Sequence, residues 1–151
     1  MRAVKQSLRH SPETGVYGDC HRAALASVLE LDLQQVPHFA ASGPDGMHER
    51  VRDWLISRGL IDLSIPIGGG NLADCLQMLA THVPSIPVLF GGTSRNGCGH
   101  TVVVMNGQIV HDPALDESGI VGPMEDGYFW LTIISPLHIA TVARDLRKVL
   151  A

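Results

Sequence analysis

Cys20, His100 and Asp112 follow one another along this chain in an order that can support nucleophilic acyl transfer. A thiol attacks a carbonyl as thiolate, so a nucleophilic cysteine needs a lowered pKa or a neighbouring base. Cys20 stands in Gly18-Asp19-Cys20-His21, just ahead of Ala24, Leu25, Val28 and Leu29, whose spacing predicts a helix over 20–31. That places the thiol at a helix start, where the dipole and the unpaired N–H groups favour the charged form. Asp19 is placed to cap those N–H groups. His100 opens the strand-like run Thr101 to Met105, and Asp112 closes a second run that begins at Gln108. The imidazole would be the base, and the carboxylate would hold it in the right tautomer.

Whether His100 and Asp112 can meet depends on the turn between their strands. If Asn106-Gly107 alone forms a two-residue turn, Met105 opposes Gln108 and the two side chains fall on opposite faces. If Met105-Asn106 form a type I turn and Gly107 takes a left-handed bulge position, Val104 opposes Gln108 and His100 lies directly across from Asp112. The bulged turn is the expectation adopted, because it lets the two residues act together.

The elements that must position these groups read as α+β within a single domain over 1–151. Residues 1–18 are rich in turn formers and lack periodicity, which predicts an irregular N-terminal arm. Helices are expected over 20–31, from Met47 to Arg58 with Gly59 closing it, and from Asn71 to His82. A strand is expected from Ile61 to Ile67, and the later runs Ile86 to Phe90, His100 to Met105, Gln108 to Asp112 and Tyr128 to Ile134 predict an antiparallel sheet. Leu137 to Leu150 has the spacing of a last amphipathic helix.

The segment Gly18-Asp19-Cys20-His21-Arg22-Ala23-Ala24-Leu25 resembles the Asp-Cys helix start of papain-like cysteine peptidases, in particular the bacteriocin leader-peptide peptidases. Gly99-His100-Thr101-Val102-Val103-Val104, followed by Val110-His111-Asp112-Pro113, resembles their histidine strand and terminal Asp-Pro. Together with Val36-Pro37-His38-Phe39, the combination also resembles small papain-like proteins of phages and prophages; the matching segments cover about a third of the chain. The resemblance implies a papain-like fold and a cysteine hydrolase, peptidase or amidase, with a Cys20-His100-Asp112 triad and an acyl-enzyme. It further implies neither metal nor cofactor, a peptide or amide substrate, and a host bacterial cytoplasm as the setting. Such peptidases carry a glutamine about six residues before the cysteine, where this chain has Thr14, whereas the phage proteins place one near the N-terminus, matching Gln6. Either could serve the oxyanion beside the Cys20 N–H. Two further function classes stay open: a non-enzymatic binding module on the same shell, and a cysteine-dependent acyltransferase.

Composition narrows the field. With 151 residues, 45% apolar and 17% charged, the chain can bury one core and is not a disordered or coiled-coil sequence. A net charge of -4 supplies no basic field for a phosphate backbone, so nucleic acid is not the expected partner. No apolar run approaches the roughly 20 residues that span a bilayer, so no membrane partner is expected either. Three cysteines form no fully paired disulfide framework, which fits a reducing cytoplasm. Cys98 lacks partners at metal-ligand spacing. His21 and His111 are expected to project away from the triad, Cys75 to lie in the core, and Asp116-Glu117 and Glu125-Asp126 to be solvated. The loop Gly91 to Gly99 is expected to bind substrate through Arg95, Asn96 and Gly99, opposite the turn at Asp19.

Overall fold

The computed structural model describes residues 1–138. The helix expected from Leu137 to Leu150 falls, from residue 139 onward, outside the described residues. The rest is α+β, with helices α1 (Cys20–Leu29), α2 (Met47–Ile56) and α3 (Leu72–His82) and strands β1 (Leu60–Ile67), β2 (Val88–Thr93), β3 (Gly99–Met105), β4 (Gln108–His111) and β5 (Phe129–Pro136). The strands form one antiparallel sheet in the order β1-β5-β2-β3-β4.

Both faces of the central strands are covered, so β2 and β3 read as nearly unbroken apolar runs. Leu89 and Val103 pack with Ala24, Leu25, Val51 and Leu55 of α1 and α2. Their neighbours Val88, Phe90, Val102 and Val104 pack with Cys75 and Leu79 of α3, as the two-residue period of a strand requires. The alanines of α1 let it approach β3 closely, and Ala23 through Ser27 are fully buried. No helix among the described residues is long and apolar enough to cross a membrane.

The hairpin between β3 and β4 corrects the expected register. Met105 pairs with Gln108, so the turn is the two-residue one. Asn106 and Gly107 both have positive φ, 52° and 69°, the pair of values that matches the twist of the flanking strands. Packing fixes that choice: Asn106 Oδ1 accepts from the Ser85 N–H at 2.7 Å, and a Cβ on Gly107 would lie 2.4 Å from the Leu76 carbonyl oxygen. A bulge then occurs further along. Val104 pairs with Ile109 but Val103 pairs with His111, leaving Val110 without a partner.

The stretch Gly91-Gly92 belongs to β2 rather than to a loop. A Cβ on Gly92 would approach the Gly122 carbonyl and Ile120 to 2.6 Å, so these glycines serve close packing and not mobility.

Candidate active site

The cleft is built at the end of α1, where β3 begins. Cys20 is the first residue of α1 and His100 the second of β3; both line a cavity of about 540 Å³ together with Gln6, Gly18, Asn96, Cys98 and Gly99. His100 Nε2 lies 2.6 Å from Asp112 Oδ1. Asp112 also accepts the backbone N–H of Ala114 at 2.8 Å and of Gly119 at 2.7 Å. Burial works to raise this carboxyl; it is outweighed by the hydrogen bonds from His100, Ala114 and Gly119, which hold it below the ordinary carboxylate range. A carboxylate only accepts, so the proton of the neutral ring sits on Nε2 and the free lone pair on Nδ1.

The thiol departs from expectation. Burial pushes Cys20 up to about 11. Hydrogen bonding from the backbone of Thr101 and of His21 works the other way, and the nearby Cys98 and Asp19 add to the rise. Loss of hydration outweighs these backbone bonds, which favours the neutral thiol at Cys20. Among the described residues no hydrogen bond joins it to the His100 ring.

Asp19 neither caps the helix nor reaches the cleft. It is 1% exposed, makes no side-chain cap bond, and accepts from Ser7 N at 2.9 Å, Ser7 Oγ at 2.8 Å and Leu8 N at 2.8 Å. Arg22 completes its shell at 3.3 Å. The irregular arm is thereby folded back onto Gly18-Asp19, and Gln6 reaches the cleft. Thr14 does not; its hydroxyl is spent on Ser11 at the exposed far end of the arm.

The other expected substrate contacts divide. Asn96 and Gly99 line the cleft, although the Asn96 amide is bonded to Asp116 at 3.0 Å. Arg95 turns away, donating to the Glu117 carbonyl at 2.7 Å, so the contact with an acidic substrate group expected of it is not formed from this position. Asp116 and Glu125, read as solvated, line the cleft instead, and Arg9 of the arm pairs with Asp116 at 3.4 Å.

Sequence reasoning missed Lys5, whose ammonium donates to the carbonyls of Asp112 and Ala114, both at 2.9 Å. It also missed Gly119. A Ser-Gly pair in a loop signals a turn, but nothing local says that its N–H holds the Asp112 carboxylate.

His21 and His111 do not line the cleft. The His21 ring bonds Thr101 Oγ1 at 3.3 Å and is pushed down to about 4 by burial, with His48 adding to the shift. His111 donates to the Val4 carbonyl at 2.8 Å. Among the described residues no group of three or more His, Cys, Asp or Glu is placed to hold a metal ion. Cys75 is core, and Phe129 stacks on Phe90 while Trp130 lines a second cavity of about 290 Å³.

No family model, curated protein or solved structure matches this chain.

Proposed function

We propose that the protein is a cysteine-dependent acyl hydrolase on a papain-like shell, a peptidase or amidase in which Cys20 is the nucleophile, His100 the base and Asp112 its orienting partner. The observation that carries this reading is the His100–Asp112 bond of 2.6 Å at the wall of a cleft that Cys20 also lines. The raised thiol makes His100 a general base rather than half of a standing ion pair. As substrate binds, Nδ1 takes the thiol proton while sulfur bonds the carbonyl carbon. The resulting imidazolium protonates the leaving amine; water then gives a proton to the same ring as its oxygen bonds the acyl carbon, and as the C–S bond breaks the departing sulfur takes that proton back, restoring the neutral thiol and ring. An amine in place of water would give transfer through the same intermediate. The phage or prophage setting and the bacterial cytoplasm rest on the sequence resemblance.

The neutral thiol also favours a second reading, a binding module in which Cys20 is incidental. Acetylation by p-nitrophenyl acetate separates the two. An enzyme acetylates at Cys20 ahead of Cys75 and Cys98, and His100→Ala slows this by about 10²-fold or more, the usual range for a positioned base. Equal acetylation of wild type and His100→Ala excludes the catalytic reading.

A further inference from the structure

Asp19, beside Cys20, is buried; it pairs with Arg22 of its own helix at 3.3 Å but gives most of its carboxylate's bonds to the arm. Oδ1 accepts the N–H groups of both Ser7 and Leu8, and Oδ2 accepts the Ser7 hydroxyl. The Leu8 carbonyl in turn accepts the Asp19 N–H at 3.3 Å. On its other side, the Gln6 N–H donates to the Pro113 carbonyl at 3.0 Å, one residue beyond the triad carboxylate. Gln6 is therefore held between two anchors, one next to Cys20 and one next to Asp112. Gln6 lines the cleft, and its side-chain amide makes no hydrogen bond among the described residues.

We propose that Asp19 is a positioning residue that fixes Gln6 as an oxyanion donor. The inference rests on the acyl-transfer reading and deepens it. When sulfur bonds the carbonyl carbon, the C=O π pair moves onto oxygen, and the Gln6 amide N–H, with the Cys20 backbone N–H, binds the charge that develops there. As the C=O re-forms, the leaving group departs with its bonding pair. A donor aimed at such an oxygen is worth about 10²–10³ in rate when removed. A side chain on an irregular arm can act this way only if the backbone on both sides of it is fixed, and Asp19 fixes the side nearer Cys20.

Two reagents distinguish this role from simple structural support. Acetylation by p-nitrophenyl acetate passes through a tetrahedral oxyanion; alkylation by iodoacetamide does not. Gln6→Ala and Asp19→Ala should each slow acetylation of Cys20 at least about 10-fold, with the double variant no slower than the worse single. Alkylation of Cys20 at pH 8 should hold in Gln6→Ala and rise in Asp19→Ala, because the Asp19 charge helps raise the thiol. Ser7→Ala, which removes one bond of the anchor, should show a smaller split of the same kind, and Asp19→Asn should recover part of the acetylation rate by keeping one oxygen.

Acetylation at the wild-type rate in Gln6→Ala or Asp19→Ala, or equal loss of both reactions in Asp19→Ala and Ser7→Ala, overturns the assignment of Asp19 while leaving Cys20 and His100 as the reacting pair. Acetylation that does not depend on His100 overturns the reaction itself.

Discussion

His100 Nε2 reaches Asp112 Oδ1 at 2.6 Å although the two residues are not cross-strand partners. A hairpin with the observed two-residue turn and no irregularity would set Asp112 opposite Thr101, with its side chain on the wrong face. Because Val110 is skipped, continuing the register sets Asp112 opposite Val102, on the His100 side of the strand.

The bulge makes deletion and insertion unequal. Deleting Val110 leaves Ile109 opposite Val104 and His111 opposite Val103, so the His100–Asp112 bond should survive and acetylation should stay within about 10-fold of wild type. Inserting an alanine after Val110 should turn Asp112 away and abolish acetylation, since one residue exchanges the faces of a strand. Loss in the deletion equal to that in the insertion would show that the bulge itself, and not the register it restores, positions the pair.

Asp112→Asn should slow acetylation less than His100→Ala, because the amide oxygen can still accept from His100 and Ala114. Its NH2 group would then face the Gly119 N–H, donor against donor, in place of the bond at 2.7 Å. Urea unfolding should register a loss of about 1–3 kcal/mol, the cost of leaving such a group unsatisfied. An unchanged midpoint would mean that the Ala114 to Gly119 loop does not depend on the carboxylate.

With the thiol at about 11, alkylation of Cys20 by iodoacetamide should climb close to tenfold per pH unit from pH 7 to 9, read by peptide mass spectrometry. A plateau below pH 8 would reveal a thiolate paired with imidazolium at rest, contrary to general-base catalysis by His100.

His21 gives stability a pH dependence of its own. Its folded value, about 4, lies below the ordinary 6.5, so between these values the unfolded chain binds the extra proton. Stability should therefore be full above pH 6.5 and fall as pH drops toward 4, by roughly 3 kcal/mol at most. Asp112, held below 3.8, acts only in more acid solution. Urea titrations at pH 7 and 4.5 should show the loss in wild type and much less of it in His21→Gln; equal loss in both would assign it elsewhere.

The helix start at Cys20 was legible because its cause is local: small and apolar residues at helical spacing after a glycine. The strand bearing His100 was legible for the same reason. The hairpin register was not, since Met-Asn-Gly permits two turns and contacts with Leu76 and Ser85 decide between them. Asp19 misled because a carboxylate ahead of a helix suggests a cap, whereas all its partners but Arg22 lie eleven and twelve residues upstream. Gly91 and Gly92 suggested a loop because the chain that crowds them, Ile120 to Met124, is distant in sequence.

The anchoring of the arm also bears on how the molecule is made. Lys5 bonds the carbonyl of Ala114 across a separation of 109 residues, and His111 bonds that of Val4 across 107. Contacts of such span close very long loops and lose much chain entropy in forming, so they should come late in folding. Helices and hairpins can be complete while Gln6 is still far from Cys20. Competence for acyl transfer should therefore trail secondary structure during refolding, because the arm that carries Gln6 docks after the helices and hairpins have formed.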